Sequence, residues 1–583
     1  MNETAVLLAD TVESNNTICI SKVLRFFGIG SRVSTLEQFF EDHQAITHGS
    51  RKVRLFCSSD GFSRVIEELD RHPESIRLWS GHVHSAFVYA ENAGTAFKEI
   101  ARRCRKDSYT SLIQIDPVRG QWVVSDKVPE YCGVMSSLRI PISENATECT
   151  VSEGTAHEAR CVLLGDYRSA FFKADYRLVP IFVLAGQNIV DLDAELVSRN
   201  FDIRRYFLSA TPIVMYVKWA FADICWNTPE NNACLIIDDP PLRPQYGFLN
   251  YQRLLDLMER HNFTTNIAFI PWNWRRSDPT VVGMFKTHPE RYSLSIHGCD
   301  HTGGEFGTSQ FDKLAWKSRQ ALDRMTCHQK KTGIHYDRIM IFPQGVFSGP
   351  SLAALKQASF TAAVNTEVLS SDVPRVPITI SDVWDVAVMK YGSFPIFTRR
   401  YPSQGIENFA FDILLGKPCI IVAHHDYCQN ECARLIEVIQ RLNGLNGHLS
   451  WRSLGEVVRR SCRQRDLSLS MLETEMYGSE LRLNNPSNQP RRFFIIKREL
   501  EASTIKEVRD GSNEVPWKFS NGCIAFEVEL GPAKSTTVSI LFHNYPGDIR
   551  YRESAWYKLK VMLRRYLSEV RDNYVATRWT RPL

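Results

Sequence analysis

Two short stretches restrict the fold of this chain more than any others: Ala233-Cys-Leu-Ile-Ile-Asp-Asp-Pro-Pro241 and Ser293-Leu-Ser-Ile-His-Gly-Cys-Asp-His-Thr302. In each, an apolar run of strand length stops abruptly on side chains that bind metals. The paired carboxylates of Asp238 and Asp239 cannot enter a core uncompensated, so the strand must end with them at its mouth, facing a cation or a substrate. The same holds for His297 and His301. The two stretches lie one or two strand-helix units apart, which predicts strands of one sheet. One aspartate and two histidines form a ligand set that suits zinc, tolerates other divalent first-row metals and leaves positions open for water and substrate. Taken singly each motif has a plainer use: Asp-Asp before Pro240-Pro241 also describes a turn or helix cap, and His-x-x-x-His spacing also arises on surface helices. Their joint position at strand ends favours a metal site.

In the order of its motifs the chain resembles the polysaccharide deacetylases of carbohydrate esterase family four, the NodB-homology fold. Asp238-Asp239 matches the Asp-Asp after the family's first strand, and His297 to His301 matches its His-x-x-x-His. Ile341-Phe-Pro-Gln-Gly345 matches the Arg-Pro-Pro-x-Gly-like loop, Asp382-Val-Trp-Asp385 the Asp/Trp motif, and Ile420-Ile-Val-Ala-His-His-Asp426 the closing Leu-His-Asp. Leu352 to Thr366 is similar to the family's helix and following strand. The resemblance implies an α/β protein with a distorted (β/α) barrel, a divalent metal held by Asp239, His297 and His301, and Asp238 as general base. His424 or His425 would be the acid: aligning the strand selects the first, aligning His-Asp the second, and successive strand residues face opposite sides. Where the family carries an arginine that orients the catalytic aspartate, this chain reads Ile341 or Phe342. Arg399 and Arg400 are the substitutes the sequence offers, although an adjacent arginine pair also fits a solvated loop.

The chain has 583 residues, 44% of them hydrophobic, enough for three or four domains each with its own core. No apolar run approaches the roughly 20 residues of a membrane-spanning helix, and Met1-Asn-Glu-Thr4 lacks the basic start and apolar middle of a secretion signal; both predict a cytoplasmic protein. The 15 cysteines, odd in number and scattered through strands, fit reduced core residues rather than a disulfide framework. Cys428-x-x-x-Cys432 has no second pair nearby to complete a metal site.

Residues 1–108 alternate strand and helix patterns (Ala5 to Asp10, Ile20 to Phe27, Val53 to Cys57, Phe62 to Leu69) and predict a small doubly wound α/β domain. It lacks a Gly-x-Gly-x-x-Gly turn and a phosphate loop, so nucleotide binding is not expected. Asp10 at a strand end suits a helix cap. Residues 109–228 predict a β-rich region followed by a helical, aromatic connector from Arg204 to Trp226 packed against the catalytic domain. The barrel is expected over 229–463 and a β-sandwich over 464–546, a fold shared by carbohydrate-binding modules and structural appendages alike.

Residues 547–583 predict a basic amphipathic helical tail. Asp548 to Leu583 holds nine Lys/Arg against four Asp/Glu, a net of +5 that equals the formal excess of the whole chain. Trp556, Leu559, Leu563, Tyr566 and Leu567 give it an apolar stripe, which suits docking on the protein or contact with an anionic membrane; no nucleic acid is expected. Near the expected metal, Tyr246 to Tyr251 and Pro271-Trp-Asn-Trp274 supply rings and amides of the kind that bind sugars, and that equally fill loops. The expected function is metal-assisted hydrolysis of an acetyl group on a saccharide or acetylated glycan precursor, with a backbone amide near Gly345 for the oxyanion. The alternatives are a catalytically inactive saccharide-binding protein and a metal-independent glycoside hydrolase on a related barrel.

Overall fold

The structure, a computed structural model, describes residues 5–9, 14–45, 52–73, 75–90, 100, 103, 120–142, 161–165, 168–468, 470–543 and 551–575. Asp10 lies outside them. The chain forms two compact units: Met1–Ala194 with Asp202–Asn227 and Leu445–Gly447, and Glu195–Phe201 with Thr228–Gly444 and His448–Leu583.

The first unit is built on one nine-stranded sheet. Its parallel half pairs Ser31–Ser34, Ala5–Leu8, Val53–Ser58 and Val83–Tyr89, and Val83–Tyr89 pairs in parallel with Val179–Leu184. The ladder then runs antiparallel through Arg168–Tyr176, Cys161–Gly165, Gln121–Val124 and Arg139–Pro141. A boundary at residue 108 therefore does not hold: Val83–Tyr89 is apolar and almost wholly buried, so its outer edge needs a partner strand, and Val179–Leu184 supplies it. Helix Phe207–Ala220 is no separate connector either. It is apolar nearly all round, and its Tyr216 ring packs against Phe56, Phe87 and Phe182 of this sheet.

The second unit contains a barrel of parallel strands, labelled here β1 (Asn231–Asp238), β2 (Thr265–Phe269), β3 (Tyr292–His297), β4 (Ile339–Ile341), β5 (Ala362–Asn365), β6 (Ile396–Thr398), β7 (Cys419–Ala423) and β8 (Leu449–Trp451). The order is β6-β5-β4-β3-β2-β1-β7, with β8 also pairing to β1. Just past β6 the chain meets β7 again: Arg400 N donates to the Ile420 carbonyl and Val422 N to the Arg400 carbonyl, each at 2.9 Å. The barrel is thus nearly closed, and the carboxyl ends of its strands share one rim. Strands β1 and β7 read as continuous apolar runs because both of their faces are covered.

The helix between β1 and β2, Tyr251–His261, shows how local sequence sets these elements. Its N-cap Asn250 accepts from Arg253 N, it buries Tyr251, Leu254, Leu255, Leu257 and Met258 at helical spacing, and Asn262 ends it in the left-handed conformation at φ 49°. Each large side chain so buried contributes about 1.5–3 kcal/mol, so Leu254→Ala would cost about 2–5 kcal/mol with its cavity.

After the barrel come two sheets, Cys462–Ser468, Met471–Met476, Arg491–Arg498, Cys523–Leu530 and Trp517–Ser520 in one, and Glu480–Asn484, Ser535–Phe542, Ile505–Asp510 and Asn513–Glu514 in the other. Alternate residues such as Phe493, Ile495, Val508, Ile524, Val538 and Ile540 form their shared core. A helix at Ala555–Val570, capped by Ser554 through Tyr557 N, continues as a wider turn over Arg571–Val575. Among the described residues no helix is long and apolar enough to cross a membrane, and none of the 13 cysteines there is in a disulfide.

Candidate metal centre and active site

The rim of the barrel gathers the expected ligands. Asp239, one residue past β1, sits at φ 81°, a left-handed turn that swings its carboxylate over the barrel mouth. Its Oδ1 lies 3.0 Å from His301 Nε2 and 3.4 Å from His297 Nε2. His297 ends β3, where its Nδ1 faces the Ile341 carbonyl at 3.0 Å. A carbonyl only accepts, so Nδ1 carries the proton and Nε2 presents its lone pair toward Asp239. One donor atom from each of the three residues lies within 4.8 Å of the others, and Asp239 Oδ1 is buried without a hydrogen-bond partner. A divalent ion fits this donor set: hard carboxylate, two imidazoles, and an outer hydrogen bond fixing one imidazole's tautomer.

The loop carrying His301 is held by a residue the sequence did not single out. Glu305 Oε1 accepts from Cys299 N at 2.8 Å and from His301 N at 3.0 Å. Gly298, at φ 63°, makes that approach feasible, since a Cβ there would stand 2.2 Å from Glu305 Oε1. Asp300 anchors the same loop through Lys317 and Arg324, each at 2.6 Å. A glutamate four residues past His301, within a glycine-rich turn, is the one signal that pointed there.

Asp238 is the last residue of β1. Arg399, the first residue after β6, donates to both of its oxygens, Nη1 to Oδ1 and Nη2 to Oδ2, each at 2.7 Å. Both side chains are nearly sealed from water, 4% and 3% exposed. Burial pushes the Asp238 carboxyl up, but Arg399 with His297 and His424 more than reverses this, and the group is held below its ordinary value. Arg400 does not share in the site. Strand alternation turns it away, to Asp412 and the Phe201 carbonyl. The positions Ile341 and Phe342, where an arginine was looked for, are buried apolar residues, Phe342 packing on Phe306 and Phe347.

His424 and His425 separate. His424 stacks on Tyr401, with ring centroids 5.9 Å apart, and lies near enough to Asp238 to stabilise its charge. His425 turns to Tyr246 and Phe248, and its Nε2 is 3.8 Å from Asp572. Asp382 caps the short helix Ile380–Trp384 through Thr379, and Asp385 is buried among Tyr477, Arg463 and Arg498, so this pair stands apart from the donor group of Asp239, His297 and His301. The Gly345 N–H is already given to the Phe342 carbonyl at 3.1 Å, so it is not offered to an oxyanion.

The other side of the mouth is supplied from more than 200 residues downstream. Tyr246 donates to Asp572 Oδ2 at 2.5 Å, Gly247 N donates to Asn573 Oδ1 at 2.8 Å, and Arg276 pairs with Glu569 at 2.6 Å. Arg565 Nη2 points at His301 Nδ1, 3.3 Å away. Trp272 meets Tyr566 edge-on, and Lys317 reaches Glu553 and Tyr557. Of the two uses expected for the basic tail, these contacts show docking on the protein: the helix is a wall of the site. Sequence reasoning weighed its bases and passed over Glu569 and Asp572, which at i and i+3 share a helix face.

No protein-family model matches the sequence, and no curated protein matches it either. Solved structures similar to it include carbohydrate esterase family four proteins. They include a family four carbohydrate esterase from Streptomyces lividans in complex with acetate (13% identity, TM-score 0.22, 36% of this chain and 85% of that one). A second is the family four domain of a multidomain xylanase from the hindgut metagenome of Trinervitermes trinervoides (12%, TM-score 0.25, 39% and 89%). A third is a family four pseudoenzyme from Bacillus anthracis (10%, TM-score 0.24, 40% and 66%).

Proposed function

We propose that this chain is a metal-dependent hydrolase that removes an acetyl group from a saccharide. One observation carries the reading: the donor atoms of Asp239, His297 and His301 converge beside a second carboxylate, Asp238, that is not aimed at the same point but is held by Arg399. A divalent cation, zinc being the best match to the donor set, would supply Lewis acidity, acidifying water and polarising a carbonyl. Asp238 takes the proton of the attacking water, and Arg399 fixes its rotamer and keeps it ionised and ready to do so. As the C–N bond of an acetamide or the C–O bond of an acetyl ester breaks, His424 gives a proton to the departing nitrogen or oxygen, leaving acetate and a free amine or alcohol. Tyr401 holds the His424 ring.

A second reading, a saccharide-binding protein without turnover, draws on Arg565. A guanidinium only donates, so a hydrogen bond from Arg565 to His301 Nδ1 is made only by the tautomer whose proton is on Nε2, where it would compete with a metal for the same atom. Metal content of the purified full chain, followed by acetate release from acetylated saccharides, separates the two. Bound divalent metal with acetate release supports the hydrolase; sugar binding with neither supports the second reading. The loss of all three refutes both.

A further inference from the structure

The helix that walls the site has a second face. Toward the barrel it buries Val561, Arg565 and Asp572. Away from it, Trp556, Leu559, Leu563, Leu567, Val570 and Tyr574 are 41–73% exposed. Their spacing of three and four residues makes one stripe along the helix. The charges are sorted by face. Glu553, Glu569 and Asp572, the acids of residues 551–575, are at most 12% exposed and are paired with Lys317, with Arg243 and Arg276, and with Arg571. Lys558, Lys560 and Arg571 are exposed, and among the described residues of this segment no acid is. Lys558 and Lys560 lie about 100° to either side of Leu559, so cations flank the stripe on both edges.

We propose that this outer face is a docking surface for an anionic lipid bilayer. An apolar stripe sunk to the depth of the acyl boundary, with a tryptophan on it and ammonium groups at headgroup level on both flanks, is the arrangement such a surface binds. A second copy of this chain does not fit: a two-fold contact along the stripe sets cations against cations. An acidic glycan would use rings and amides, and leaves the leucines unexplained. The inner face ties the helix to the rim through Asp572 on Tyr246 and Glu569 on Arg276, so docking brings the barrel mouth to the headgroups. If the hydrolase reading holds, its saccharide is one carried at a membrane; the lipid binding itself does not depend on that reading.

The test is cosedimentation of the full chain with vesicles of phosphatidylcholine alone and of equal parts phosphatidylcholine and phosphatidylglycerol. The expected result is binding to the anionic vesicles that weakens as salt is raised and is at least about tenfold weaker on the neutral ones. Leu563→Ser with Leu567→Ser, and separately Lys558→Gln with Lys560→Gln, should each lower anionic binding by about tenfold or more, with unchanged melting because all four side chains are exposed. Equal binding to both vesicles, absence of binding, or variants that bind like the parent overturns the proposal. So does lipid-free self-association that the leucine pair abolishes, which would make the stripe an interface between copies. Vesicle binding needs no turnover, so its failure and that of the hydrolase reading are read separately.

Discussion

Replacing Arg399 with methionine removes the buried partner of Asp238 and keeps most of the side-chain volume. The pair is 3% and 4% exposed and joined by two hydrogen bonds of 2.7 Å. Neither member can be rescued by solvent, so stranding the carboxylate should cost about 3–5 kcal/mol. The unit holding the pair comprises about 360 residues. At roughly 2 cal/mol/K of unfolding entropy per residue, 1 kcal/mol moves its midpoint by about 1.3 °C, and the expected fall is about 4–7 °C. Calorimetry of the full chain, following the transition of this unit, measures it. Asp238→Asn strands the guanidinium instead and should cost a comparable amount. The double variant removes the isolated charge, so its loss should be smaller than the sum of the singles by at least about 2 kcal/mol. Additive losses, or an Arg399→Met protein that melts like the parent, would refute the idea that the two charges stabilise each other.

The ligand assignment is checked by metal analysis: His297→Ala and His301→Ala should each weaken metal binding by more than the 10- to 100-fold typical of an outer-shell partner, with the fold kept. Asp239→Asn should also weaken it, whereas Asp238→Asn should retain metal and lose about 10²–10⁴-fold in acetate release. Gly298→Ala, which forces a Cβ against Glu305 and Pro343 at φ 63°, should destabilise by at least about 2 kcal/mol and loosen metal through His301, read by melting and metal titration. Asp572 gives a pH signature. Burial raises its carboxyl, but His425, Arg571 and Tyr246 hold it down to about 2. A depressed carboxylate stabilises above its unfolded value of about 3.9 and loses this as pH falls through the folded one. Hydrogen-exchange protection over 555–570 should thus persist at pH 5 and fall between about pH 4 and pH 2.

The barrel was legible where its strands are buried on both faces: β1 and β7 are runs of apolar residues with sharp ends, and a sharp end is visible in one dimension. Asp238, Asp239 and His297 were legible for the same reason, since each stands where such a run stops. The Arg399 contact was half legible. Chemistry demanded a cation near Asp238 and the sequence offered two adjacent arginines, but which one points inward depends on the pleat of β6. The Asp-x-Trp-Asp spelling gave no sign of what Asp385 meets, because its buried partners Tyr477, Arg463 and Arg498 come from later in the chain. The edge of Val83–Tyr89 gave no hint that its neighbour lies some 90 residues on, and the boundary at 108 followed from that. Arg565 and Asp572 were hidden because a helix read as basic overall conceals which of its charges face inward.

The carboxyl ends of the parallel strands meet on one rim, and Arg399 reaches Asp238 from the end of β6, not from the loop after β4. From any strand the centre of that rim is within one long side chain's reach. A guanidinium set at any of these strand ends could therefore meet the same carboxylate, so the site is defined by a point in space over the mouth and not by an order of residues along the chain.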